Sequence, residues 1–328
     1  MSIKKRTSRF LLLHLVLILL LPFAAFSQTP YPARPIRLIT PFAPGGSTTT
    51  VGRVIGQKLT ESWGQNVIVD NRPGGNMIIG TDALAKATPD GYTILLTTNA
   101  HVINPSLFSK LPYDPIKDFA PVGNVYISEF VLVINPALPA NNLQELITLA
   151  KAKPGQLNYA TTGAGGSGHL ANEMFAMLAG IKTQHIPYKG AGPAMVDLIG
   201  GQIQMFINNP LTVIGHIKSG RMRGIAVTGE VRLPTLPQVP TFSEAGLPGM
   251  DVKPWFCVVA PTGTPKPIIN KLSTEIARIM AMPDVQDYLA KQGMMPFSST
   301  PEQLATLMKT DMVRWAKFIK AANIRLDN

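Results

Sequence analysis

The 328-residue chain has a single cysteine, Cys257. That excludes an intramolecular disulfide and any cysteine-based zinc site. Charge is also scarce: 15% of residues are Asp, Glu, Lys or Arg, against 45% apolar. Such a balance belongs to a globular chain with a buried core, not to a disordered one. The histidines show neither H-x-H nor H-x-x-x-H spacing, so no metal-ligand pattern is present. No paired-carboxylate arrangement stands out either. Thirty basic residues against nineteen acidic ones give a formal net charge of +11. Yet there is no run of five basic residues and no arginine stripe interleaved with aromatics. Nucleic acid is therefore not an expected partner.

The one long apolar run lies at the start. Lys4, Lys5, Arg6 and Arg9 precede Phe10 to Leu21, which only His14 interrupts. Pro22 and the small-x-small segment Ala25-Phe26-Ser27 follow, giving the three-part plan of a secretory signal peptide. The strictly apolar stretch is short for a membrane span of about 20 residues. Residues 1–27 are therefore expected to be removed near Ser27, which takes four positive charges and leaves about +7. The mature protein is then expected to work outside the cytoplasm, away from ATP and free nicotinamide cofactors.

Past the leader, strand, loop and helix alternate. Ile36 to Thr40 reads as a strand, and Val51, Val54, Ile55, Leu59 and Trp63 fall on one face of a helix. Val67–Asp70 and Thr93–Thr97 read as further strands. Phe130–Asn135 opens a second unit, whose helix begins at Asn142-Leu143-Gln144-Glu145, a capping-box-like start. Strands over Leu157–Thr161, Ile203–Ile207 and Gly224–Thr228 continue it, with a helix from about His169 to Leu178. The proline-rich stretch from Leu233 to Gly249 reads as the connection back. Trp255–Ala260 is again a strand, and Thr300-Pro301 caps the last helix. The pattern predicts an α/β protein of two lobes with largely parallel sheets and ligand loops at the carboxyl ends of the strands. The expected lobes are residues 28–129 with 252–328, and residues 130–251.

Two glycine-rich turns carry the chemistry. Pro44-Gly45-Gly46-Ser47-Thr48-Thr49-Thr50 joins a strand to a helix, where backbone N–H groups and the helix dipole favour an anion. Ser and Thr there also suit an ordinary helix cap. The second turn runs Thr161-Thr162-Gly163-Ala164-Gly165-Gly166-Ser167-Gly168-His169. Its glycines match G-x-G-x-x-G, but Lys182-Thr183-Gln184-His185 stands where the dinucleotide fingerprint needs an acid. A carboxylate nest is the better reading. A serine hydrolase built on Ser167 is the alternative, although the segment departs from the nucleophile elbow at its last glycine. Cys257, within Trp255 to Val259, reads as a buried core thiol.

These segments together resemble the Bug-type solute receptors of tripartite tricarboxylate transporters. The resemblance runs from about Tyr31 to the C-terminus. It is carried by Arg34 to Ile39, Pro41 to Gly46, Asn71-Arg72-Pro73-Gly74 and Pro89-Asp90-Gly91-Tyr92-Thr93. Leu111-Pro112-Tyr113-Asp114 with Asp118 to Val122, and His185-Ile186-Pro187-Tyr188-Lys189-Gly190, complete it. It implies a two-lobed periplasmic binding protein (type II-like), monomeric and without cofactor or metal. Such a receptor closes on a small carboxylate and passes it to integral membrane subunits. Carried onto this chain, the first loop supplies Phe42, Gly45, Gly46, Ser47, Thr48 and Thr49. The opposing loop supplies Thr161, Thr162, Gly165, Gly166, Ser167 and His169. Asn76, the pair Thr98 and Asn99, and the pair Asn208 and Asn209 are expected beside them.

The departures from the family pattern concern acids. Thr49, Gln204 and Asn208 stand where the family often has Asp. Fewer acids reduce repulsion of a second ligand carboxylate by about a few kcal/mol at most. A dicarboxylate, aliphatic or phthalate-like, is therefore expected in preference to an amino acid, whose ammonium would want an Asp partner.

Overall fold

The computed structural model describes residues 31–250, 252–322 and 324. The expected leader, residues 1–27, lies outside the described residues. Eleven strands are present among them. β1 (Ile36–Thr40), β2 (Val67–Asn71), β3 (Thr93–Thr98) and β4 (Phe119–Ser128) come first. β5 (Val131–Ile134), β6 (Asn158–Thr161), β7 (Gln184–Pro187), β8 (Met205–Asn208) and β9 (Arg223–Val227) follow, then β10 (Trp255–Pro261) and β11 (Met294–Pro296). They form a six-stranded sheet in the order β11-β4-β10-β3-β1-β2 and a five-stranded sheet in the order β7-β6-β8-β5-β9. Each sheet is the centre of one lobe. The chain leaves the first sheet after Ser128, enters the second at Val131, and re-enters the first at Trp255.

The helices that matter here are α1 (Ser47–Trp63), α2 (Ile78–Ala85), α3 (Ala100–Ile103), α4 (Leu143–Ala152), α5 (Ser167–Ala179), α6 (Ala191–Ile199) and α7 (Pro210–Lys218). After them come α8 (Lys266–Met280), α9 (Pro283–Lys291) and α10 (Pro301–Ala321). Local chemistry accounts for several starts. Asn142 accepts from the Glu145 N–H to begin α4. Thr300 and Gln303 form a reciprocal capping box at α10, with Pro301 at its first turn. The helix expected from His169 starts at Ser167, because the break in helical geometry falls at Gly166.

The sheets are mixed, not largely parallel. β1 is parallel to β2 and β3, and β6 is parallel to β7 and β8. β10 runs antiparallel to β3 and β4, and β5 antiparallel to β8 and β9. Simple strand–helix–strand alternation predicts parallel neighbours, but the strands flanking the two passages between sheets break that rule. β4 carries no plain strand signal in the sequence, since Pro121 and Gly123 argue against a strand interior. The β10–β4 register slips twice, between Phe256 and Cys257 and between Val258 and Val259. The second slip meets Pro121 and Gly123, so the irregularity absorbs them.

Each lobe has its own apolar centre. Ile39, Leu95, Phe119, Val259 and Leu304 pack in the first, with Cys257 fully buried among them. Val131, Val133, Phe206 and Val213 pack in the second. The stretch expected as a bare connection contributes here too. Leu233, Leu236 and Val239 belong to that core, and Val227 bridges Thr241. A further cluster runs from Leu132, Phe175 and Phe242 to Ile103, Leu107, Trp315 and Ile319, joining the second sheet to helices that pack on the first. Among the described residues, no helix is long and apolar enough to cross a membrane.

Candidate functional site

β1 ends at Thr40, and the loop through Gly46 delivers the chain into α1. Asn71 at the end of β2 pins this loop: its amide donates to Thr40 Oγ1 (2.8 Å), Phe42 O (2.8 Å) and Thr49 Oγ1 (2.7 Å). Gly45 takes φ +91°, which a side chain would resist. Gly46 then begins α1 with no side-chain cap and no acid in the first turn. Across the cleft the second lobe repeats the plan. β6 ends at Thr161, Gly163 and Gly165 take positive φ, and Gly166 begins α5, again without a side-chain cap or a first-turn acid.

The two helix starts meet at one cavity of about 50 Å³. Gly46, Ser47 and Thr48 line it from one side, and Thr162, Gly166, Ser167 and Gly168 from the other. The first N–H groups of an α-helix have no partner within the helix, and each terminus carries roughly half a positive charge. Two such termini therefore address one small volume. Among the described residues, no Asp, Glu, Lys or Arg lines it. The donors and the partial positive charge that the lining offers an anion are those of backbone helix ends.

Polar side chains complete the lining. Asn209 starts α7, and its carbonyl accepts from the Leu211 N–H (3.1 Å). Its Nδ2, in a residue 2% exposed, has no partner among the described residues. Asn208 Nδ2 donates to Thr212 Oγ1, which donates to Asn209 O, both at 2.8 Å. Thr98 and Asn76 lie beside them. Asn76 Nδ2 donates to Asn104 Oδ1 (2.7 Å), and Asn104 Nδ2 donates back to Asn76 O (3.1 Å). Phe42, Phe130 and Phe256 supply flat apolar wall. Phe256 stacks on Tyr126 at 4.0 Å, and burial pushes that phenol's pKa up.

Eleven of the expected site residues share this cavity; Gly45, Thr49, Asn99, Thr161, Gly165 and His169 do not line it. Thr49 is turned to Asn71. Asn99 is 1% exposed, at the start of α3. Thr161 Oγ1 lies 2.7 Å from His185 Nε2. Gln204 also points elsewhere, its amide joining Asn158 N and Gly201 O. Of the three acid-to-neutral departures, only Asn208 is in the lining. Met77, Ala100, Phe130, Gly168, Ala191, Thr212 and Phe256 line the cavity without having been foreseen. Thr212 was within reach of sequence reasoning, since Asn209-Pro210 is a helix-start signal that places residue 212 in the first turn.

The hydrolase alternative fails at His169. Its Nδ1 accepts from the Gly165 N–H (3.0 Å), so the proton sits on Nε2, 3.7 Å from Glu173 Oε1. Among the described residues no hydrogen bond joins it to Ser167. The ring is stacked on His185 at 4.2 Å, and burial lowers the pKa of both histidines to about 4. It braces the glycine turn from behind, with no geometry for a general base. No group of three or more metal-ligating side chains is present among the described residues.

The lobes meet backbone to backbone. The Ala43 N–H donates to Lys189 O at 2.9 Å. A Cβ on Gly192 would stand 2.8 Å from Pro44 O, and one on Gly163 2.5 Å from Asn76 Oδ1.

Residues 51–324 match the tripartite tricarboxylate transporter family receptor. This chain belongs to that family. Protein BugT of Bordetella pertussis is 40% identical over 305 residues, covering 92% of this chain and 94% of its own. The structure of the periplasmic binding protein BugD superposes with a TM-score of 0.87 at 34% identity, over 90% of this chain and all of that one. Rpa4515 of R. palustris, solved with adipate, gives 0.87 at 33% identity, over 90% of this chain and all of its own. MatC of Rhodopseudomonas palustris, solved with malate, gives 0.83 at 30%, over 88% and 99%. The receptor thus shares its two-lobed fold with periplasmic solute-binding proteins, and its relatives are binding proteins, not enzymes.

Proposed function

We propose that this receptor captures a small dicarboxylate between its lobes in the periplasm and hands it to the membrane subunits of a tripartite transporter. In this reading the lobes are residues 28–129 with 252–328, and residues 130–251, and the leader is cleaved near Ser27. The receptor acts as a monomer. Two uncapped helix N-termini, one from each lobe, aimed into a cavity whose lining contains no acid, carry the assignment. An anion there is stabilised by both dipoles and by N–H groups left over from two helices. Because the two termini belong to different lobes, the ligand also holds the lobes together, which is how binding couples to closure. The partnerless Asn209 amide adds a donor that carries no charge of its own. Phe42, Phe130 and Phe256 set apolar faces beside the bound carboxylate and favour an apolar or aromatic carbon next to it over a richly hydroxylated one. Adipate and malate, found in two related structures, are both dicarboxylates.

The test is a thermal-shift screen of refolded, leader-free protein against mono-, di- and tricarboxylates and amino acids. Refolding removes any ligand carried through purification. At 100 times its Kd a ligand adds about 2.7 kcal/mol of stability. One dicarboxylate is expected to stand out. An amino acid ranking above every dicarboxylate of similar size would overturn the ligand class, and a flat response to all carboxylates would overturn the carboxylate reading.

A further inference from the structure

The polar cavity does not stand alone. A second chamber of about 300 Å³ shares Asn76, Met77 and Thr162 with it, so the two adjoin at those residues. Their characters differ. The inner one, at about 50 Å³, has room for a carboxylate or a few waters, and its polar lining faces two helix starts. The outer one has the size of a small-molecule site, roughly 300–1,000 Å³, and flat or apolar side chains wall it: Pro41, Ile78, Phe108, Pro187 and Tyr188. Among the described residues, Lys189 is the one charged residue lining either chamber. It is exposed and makes no ion pair among the described residues. Both lobes contribute to the outer chamber, and Lys189 also supplies the carbonyl that accepts from Ala43 across the cleft.

We infer that the outer chamber is the subsite for the body and far end of the ligand, with Lys189 as the partner of its second carboxylate. The inference rests on the carboxylate reading above and sharpens it. The ligand class becomes a diacid whose two carboxylates are separated by an apolar spacer, a flat ring fitting as well as a methylene chain. One carboxylate is held by uncharged backbone donors and the other by an ammonium, so the two ends are not equivalent. Specificity for the second charge resides in Lys189 and specificity for the first in the two helix starts.

Isothermal titration of the refolded receptor with matched pairs tests this: adipate against hexanoate, and terephthalate against benzoate. Wild type is expected to bind at least one diacid about tenfold more tightly than its monoacid. Lys189→Met, which keeps the backbone carbonyl and the length of the side chain, is expected to abolish that preference by weakening the diacid, leaving the monoacid within about twofold. Lys189→Arg should retain the preference. Equal weakening of both members of a pair would mean that Lys189 acts only through closure, and no change in either would place the second carboxylate elsewhere; each result overturns the inference while leaving the carboxylate reading intact. Failure of wild type to bind any member of the panel overturns that reading and this inference with it.

Discussion

Asn209 does two separable jobs with one amide. Its oxygen accepts from the Leu211 N–H and starts α7, while its Nδ2 is buried without a partner at the cavity wall. Asn209→Asp keeps the acceptor, and with it the helix cap, but replaces the donor by an anionic oxygen facing the ligand carboxylate. Carboxylate affinity is expected to fall at least tenfold by calorimetry, with the ligand-free melting temperature little changed; Asn209→Ala instead also loses the cap, worth about 1 kcal/mol. At this scale the sequence was legible where chemistry and backbone geometry coincide. Gly45 to Thr50 and Thr161 to His169 announce strand-to-helix turns suited to an anion, and Asn209-Pro210 announces a further helix start, though the missing side-chain caps and the start at Ser167 needed the structure. Phe130, Phe256 and Met77 carry no such mark. An apolar residue at the start of a strand or helix looks the same whether it faces a core or a ligand, and only the fold decides. Thr49 is the converse case, a hydroxyl in the right loop that Asn71 turns away from the cavity.

Among the elements, α6 is the one whose start is shaped by the opposite lobe. Gly192 sits in its first turn, where alanine is the better helix former, yet a Cβ there would press on Pro44 O at 2.8 Å. Within its own lobe nothing requires the glycine; the approach of the first lobe does. Gly192→Ala should leave the folded receptor intact and cost it closure, seen as a ligand affinity reduced about tenfold and a larger radius of gyration by X-ray scattering at saturating ligand. Gly215→Ala in α7, where a Cβ meets nothing within 4 Å, is the control: about 1 kcal/mol more stable with binding unchanged. The elements themselves were read unevenly. β1, α1, β3 and α10 have clean periodicity or caps and are visible in the sequence. β4 hid behind Pro121 and Gly123, and β7 and β11 are short strands at the sheet edges. The mixed sense of both sheets could not be read at all, since strand direction belongs to the passage between sheets and not to any local pattern.

For the whole molecule, pH is the most direct probe. His101 is buried, with Nε2 donating to Pro115 O (2.9 Å) and its ring edge-on to Phe119 at 4.6 Å. Burial lowers its pKa to about 4, as it does for His169 and His185. In the unfolded chain these rings titrate near 6.5, so as pH falls the unfolded state takes up protons first. Stability is full above about 6.5 and drains away between about 6.5 and 4. The melting temperature of the ligand-free receptor should therefore be flat from pH 8 to 7 and fall steadily below 6.5. A melting temperature that holds level down to pH 5 would show these rings already charged in the folded state.

The order of strands in the first sheet also governs how the receptor is made. β10 lies between β3 and β4, although more than a hundred residues separate it from either along the sequence. Until Trp255 to Pro261 have emerged, β3 and β4 have no neighbour to join them, and the first sheet lacks its middle. The second sheet, by contrast, is complete in one continuous stretch from Val131 to Val227. Contacts of such long sequence separation form late and slowly. A chain that emerges N-terminus first thus presents the strands of its first sheet long before the strand that joins them, while the whole of the second sheet is already available to pair.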